Sequence, residues 1–67
     1  MSLKLSDREL GVVRALIGGH SAPKIAKEFG LSLHTIKNHI RHIRLKTDSK
    51  TIAEAVVKVV KAIESNN

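Results

Sequence analysis

Apolar residues recur at intervals of three and four in four stretches of this chain, and no stretch alternates with a period of two. That pattern reads as four helices and no strand. The first is expected over about residues 7–17, where Leu10, Val13, Leu16 and Ile17 fall on one side and should face the core. Ser6 and Glu9 have the spacing of a capping box, in which a hydroxyl and a carboxylate satisfy two free amides reciprocally. Gly18-Gly19 ends the stretch. The second is expected over 22–29, capped by Ser21, with Pro23 in the first turn where its missing N–H costs nothing. Ala22, Ile25, Ala26 and Phe29 form its inward stripe, and Gly30 supplies the left-handed residue that stops it.

The third stretch, 33–46 with Ser32 as N-cap, separates two kinds of chemistry. At 100° per residue, Ile36, Ile40 and Ile43 gather on one side, while His34, Lys37, Asn38 and Arg41 gather on the other. Burying the isoleucines therefore turns a row of hydrogen-bond donors outward. The second and third helices are joined only by Gly30-Leu31-Ser32, and Ala26 is small enough to let them cross closely. A short helix, a tight turn with glycine and a second helix with donors on its free face describe a helix-turn-helix aimed at a DNA groove.

The fourth stretch, 51–64, is capped by Ser49 or Thr51 and carries more apolar surface than one core requires. Ile52, Val56, Val59 and Ile63 make one apolar face and are expected to pack inward. Ala53, Val57 and Val60 make another, and only Glu54, Lys58 and Lys61 form a polar stripe. A surplus apolar face asks for a second burial surface, most simply a copy of itself. The chain closes on a polar tail, Ser65-Asn66-Asn67.

Length and composition narrow the field. Sixty-seven residues suffice for one small domain, 1–67, with a core that must be economical or shared with a partner. There is no cysteine, which removes disulfides, thiolate metal sites and thiol chemistry. No apolar run approaches the roughly 20 residues of a membrane span, and the N-terminus lacks the apolar segment of a secretion signal, so a cytoplasmic, nucleoid-associated location is expected and no membrane partner. Phe29 is the sole aromatic residue, which argues against modules that stack single-stranded bases on aromatic rings. The formal charge is +6, and residues 21–46 hold nearly all of it: Lys24, Lys27, Lys37, Arg41, Arg44 and Lys46 stand against Glu28 alone. A localised basic stripe is the footprint of a polyanion partner.

LSDREL at 5–10 and HSAPKIAKEFGLSLHTIKNHIRHI at 20–43 resemble the LuxR/FixJ-type (GerE-like) DNA-binding domain of bacterial transcription regulators, over roughly residues 5–56. The resemblance implies an all-α, four-helix fold containing a helix-turn-helix, with the third helix in the major groove and the fourth as a dimerisation element. The base-contacting positions it implies are Lys37, Asn38 and Arg41. Its backbone-contacting positions fall on Thr35 and His39, and on Ser21 and Lys24 at the start of the second helix. Arg44, with Lys27 and Lys46, is expected to add phosphate attraction, and Ala53, Val57 and Val60 to form the interface of a homodimer. This chain departs from the family pattern at Gly11 and Lys24, where glutamate is usual, and at Lys46-Thr47-Asp48-Ser49, where Lys-Leu-Gly-Val is usual.

Other chemistries fit less well. His34, His39 and His42 share a helix, but no acid or cysteine completes a tetrahedral metal site nearby, so no metal and no cofactor is expected. Ser21, Ser32 and Thr35 serve better as caps and phosphate donors than as nucleophiles, and no glycine-rich phosphate loop is present, so the chain does not read as an enzyme. Two alternatives keep the helix-turn-helix. One is a sigma-factor-type promoter-recognition module whose apolar fourth helix meets RNA polymerase. The other is an interaction module that dimerises with a longer regulator. The sequence carries no receiver or ligand-binding segment, and reads either as an excised C-terminal domain or as a stand-alone regulator.

Overall fold

A computed structural model describes residues 4–65; Asn66 and Asn67 of the expected tail lie outside them. Four helices follow one another: α1 Asp7–Ile17, α2 Ala22–Phe29, α3 Leu33–Lys46 and α4 Ile52–Ser65. There is no strand among the described residues. The starts are set by side-chain caps. Ser6 Oγ accepts from Glu9 N while Glu9 Oε1 accepts from Ser6 N, the full capping box. Ser21 and Ser32 accept from the amides of Lys24 and Thr35. Of the two candidates for α4, Thr51 is the cap, since its Oγ1 accepts from Glu54 N at 3.1 Å. The stops use backbone freedom. Gly30 sits at φ 67° and closes α2, where any side chain would be strained. After α3, Asp48 takes φ 52°, a left-handed conformation that glycine adopts freely and other residues rarely.

One core joins all four helices. Val12 and Val13 of α1, Ile25 and Ala26 of α2, Ile36 and Ile43 of α3, and Ala55 and Val59 of α4 are buried together. α3 packs against each of the others, which makes it the spine of the fold and holds its outward side rigidly. Ala26, 5% exposed, is buried in the core on α2, and its small side chain suits the close packing of α2 against α3.

Three expectations about the core are corrected. Ile17 was expected inside but is 56% exposed, because it is the last helical residue and the chain turns away at Gly18 before anything covers it. Ile63 was expected to pack inward but is 47% exposed. The inner side of α4 is centred on Ala55 and Val59, so the helix is rotated relative to the expected stripe, with Ile52 and Val56 at its edge. Ile63 lies in the last turn, near the edge of that inner side, and stays half open to solvent. Val12, absent from the expected stripe of α1, is fully buried.

Two polar residues share the interior. Glu9 is 4% exposed and Thr47 6%. Thr47 Oγ1 donates to Ile43 O at 2.9 Å, folding its hydroxyl back onto the last turn of α3. Burial by itself would raise the Glu9 carboxyl. Hydrogen bonds from Lys46 and Ser6, with the positive charge of Lys46, outweigh that and hold it below the ordinary glutamate range.

Candidate nucleic-acid interface

The outward side of α3 is set by what its inward side buries. Ile36 and Ile43 have no exposed surface, and they fix the rotation of the helix about its axis. Lys37, Asn38 and Arg41 are consequently all exposed, along with His34. Ile40 lies toward the Lys37 edge of the apolar stripe and is half-buried, packed against the core rather than within it. The stripe of exposed donors runs along the helix for about 10 Å at 1.5 Å per residue, comparable with the width of a major groove.

The side chains of this stripe differ in freedom. Among the hydrogen bonds and ion pairs of the described residues, Lys37 and Arg41 have no side-chain partner within the protein. Asn38 Nδ2 lies 3.3 Å from His34 Nε2, one turn back. Leu45 belongs to the same side, at i+4 from Arg41, and is 68% exposed. The helical period that placed Asn38 and Arg41 outward also places Leu45 there; a search for donors alone passes over it.

The flanks carry the expected backbone-contacting residues. Thr35 and His39 lie on one flank of the stripe, half-buried. Ser32 Oγ accepts from Thr35 N at 3.1 Å and sits 2.9 Å from Thr35 Oγ1. Either hydroxyl can donate in that pair; when Ser32 does, the Thr35 hydroxyl proton is free to point outward at the helix N-terminus, where the dipole favours an anion. Arg44 lies on the other flank and donates from Nη1 to Lys50 O at 3.2 Å. That bond uses one of five guanidinium N–H groups and steadies the arm without consuming it. Ser21 and Lys24 are exposed at the first turn of α2, where Ser21 Oγ accepts from Lys24 N at 3.4 Å.

Lys46 departs from expectation. Its Nζ donates to Glu9 Oε1 at 2.7 Å, so this charge ties α3 to α1 rather than standing free for a polyanion. Lys58, expected only in the polar stripe of α4, donates to the carbonyl oxygens of Thr47 and Asp48 at 2.9 and 2.8 Å and lies 3.3 Å from Glu54. The α3–α4 connection is thereby held by a lysine from the helix that follows it. His20 Nδ1 is 3.4 Å from Glu28 Oε1, within ion-pair reach but without hydrogen-bond alignment, and is buried without a hydrogen-bond partner.

On α4, Ala53 and Val57 are exposed, Val57 by 51%, and Val60 is half-buried. They form an apolar strip on the far side of the helix from Ala55, while the half-open Ile63 lies beside Ile52 and Val56 at the edge of the inner side. No group of three or more His, Asp or Glu side chains is arranged to hold a metal ion among the described residues. No helix among them is long and apolar enough to cross a membrane.

Four helices, a glycine turn between α2 and α3, and an exposed row of donors on α3 define a DNA-binding helix-turn-helix domain. The family described as bacterial regulatory proteins, luxR family, matches residues 3–59, and the chain belongs to it. It is a family of DNA-binding transcription regulators and not an enzyme class. The chain is similar to the HTH-type transcriptional activator RamA of Corynebacterium glutamicum, with 38% identity over 53 residues. That match covers 79% of this chain and 19% of the relative, so the chain spans about a fifth of that protein's length. No solved structure matches.

Proposed function

We propose that α3 enters the major groove of double-stranded DNA and reads bases through Lys37, Asn38 and Arg41, as the DNA-recognition part of a transcription regulator. The observation that carries this is the antipodal arrangement of α3: Ile36 and Ile43 are fully buried while Lys37, Asn38 and Arg41 are all exposed. Arg41 and Lys37 donate to guanine O6 and N7, Asn38 pairs with adenine N6 and N7, and Leu45 meets a thymine methyl group. Thr35 and His39 on one flank, Arg44 on the other, and Ser21 and Lys24 at the start of α2 set the register on phosphates. Ala53, Val57 and Val60 join two copies, and the distance between their α3 helices sets the half-site spacing. The name of the relative, a transcriptional activator, supports a role in transcription. Selection of bound duplexes from random DNA tests the reading. It is expected to return a short preferred motif. Equal binding to all sequences would overturn base reading, and no binding at low salt would overturn DNA recognition altogether.

A further inference from the structure

The Asn38–His34 contact limits what Asn38 can recognise. An amide nitrogen has no lone pair to offer, so Nδ2 is the donor and His34 Nε2 the acceptor across their 3.3 Å separation. Both side chains are exposed and lie one turn apart on the reading side of α3.

A free asparagine amide has two N–H donors and one carbonyl acceptor. One N–H with the carbonyl matches adenine, which offers an acceptor at N7 and a donor at N6. Two N–H groups match guanine, which offers acceptors at both N7 and O6. Asparagine by itself therefore has a way to engage either purine. His34 takes one N–H, and the amide that remains has one donor and one acceptor. Only adenine satisfies both. A guanine O6 would face the Asn38 carbonyl oxygen, two acceptors with no proton between them.

We propose that His34 is a positioning residue for base selection: by accepting one amide proton of Asn38 it makes Asn38 selective for adenine over guanine. This rests on the reading of Asn38 as a base-contacting residue. His34 need not touch the DNA, and its effect passes through Asn38 alone.

The test is competition binding to duplexes that differ only in adenine or guanine at the base pair where the Asn38→Ala variant loses preference. His34→Ala should lower the adenine-to-guanine preference about fivefold, the factor that one neutral hydrogen bond sets. It should do so mainly by improving binding to the guanine duplex. His34→Gln, whose side-chain carbonyl restores an acceptor, should recover part of the preference. In the Asn38→Ala background, His34→Ala should have no effect on the ratio. An unchanged ratio in His34→Ala, an equal loss on both duplexes, or an effect that persists without Asn38 would each overturn the role of His34. If Asn38→Ala alters preference at no base pair, the base-contacting assignment of Asn38 fails, and the His34 role with it. Loss of all sequence preference in the native chain would instead refute the broader reading.

Discussion

Lys46, in the last turn of α3, donates to Glu9 of α1 at 2.7 Å, and Glu9 also closes the capping box at the start of its own helix. One carboxylate thus fixes the beginning of the first helix and the end of the recognition helix. It is almost fully buried, while the Lys46 side chain remains 43% open to water. Removing the acid leaves the lysine a route to solvent, so the loss is moderate for a buried pair.

Glu9→Ala is therefore expected to cost about 2 kcal/mol of stability, from the lost cap and the lost charged hydrogen bond together. Glu9→Gln keeps much of the cap and loses the charge. The folded carboxyl titrates lower than in the unfolded chain, so its contribution is complete above the unfolded value of about 4.3 and disappears as pH falls through the folded value. Urea unfolding as a function of pH should show native stability falling below about pH 4.3, with a shallower fall in Glu9→Gln. Parallel curves for the two proteins would remove Glu9 from this role.

Lys58 anchors the connection between α3 and α4 through two backbone carbonyls. Its side chain is 41% exposed and that of Glu54 44%, so solvent screens their pair and the carbonyl bonds remain as the main contribution. Lys58→Met should lower stability by about 1 kcal/mol and raise amide exchange at Thr47 and Asp48. Asp48→Gly should be tolerated, because φ 52° suits glycine, whereas Asp48→Val should destabilise by about 1–2 kcal/mol. Equal stability of the glycine and valine variants would contradict the observed backbone.

Much of this was readable from the chain. Four helices, their caps and the opposed sides of α3 follow from local signals: Ser21, Ser32, Gly30 and the isoleucine spacing each act within a turn or two. What was not readable depends on partners far along the chain. Lys46 counted as free charge until α3 was packed against α1, which brings Glu9 to it across 37 residues. The rotation of α4 was missed because two overlapping apolar stripes suit its sequence equally well. Ala55, too small to stand out in a pattern of valines and isoleucines, lies at the centre of the buried one. At Gly11, where the family usually has glutamate, a Cβ would lie 3.5 Å from the Phe29 ring, over which Arg8 sits at 5.5 Å. That is ordinary contact, so the glycine is not required by sterics, and Gly11→Ala is expected to be accepted.

If α3 reads bases and its flanks hold phosphates, the two kinds of residue must fail differently. Arg41→Ala should cost roughly 1–3 kcal/mol on the preferred duplex and relax discrimination at one or two base pairs. Lys24→Ala should weaken preferred and random duplexes alike and make the salt dependence shallower by about 0.9 in the log–log slope. Lys46→Ala should leave that slope unchanged, since its charge is already paired with Glu9. Titrations at several salt concentrations separate the three. Indistinguishable losses for Arg41→Ala and Lys24→Ala would dissolve the division between base and phosphate contacts.

The strip of Ala53, Val57 and Val60 bears on how two domains share a site. Val57 is 51% exposed, so it can change without opening the core, which lies across the helix at Ala55 and Val59. The residues at the centre of the strip are small, which lets two helices approach closely but limits the area they hide. A stable interface of ordinary size buries about 1,600 Å² in total, well beyond one short helix pair. Self-association in free solution is therefore expected to be weak. Two adjacent half-sites hold the domains together and convert the same contact into an intramolecular one, which raises its occupancy by effective concentration alone. Val57→Glu places a carboxylate at the middle of the strip, and its copy would face it across the two-fold axis. The variant should fold with unchanged stability, bind one half-site as the native chain does, and lose cooperative binding to a duplex carrying two. Thermal unfolding, sedimentation and binding curves on one and two half-sites measure each of these. Full cooperativity in Val57→Glu would place the dimer contact elsewhere, and an unfolded variant would contradict the exposure of this face.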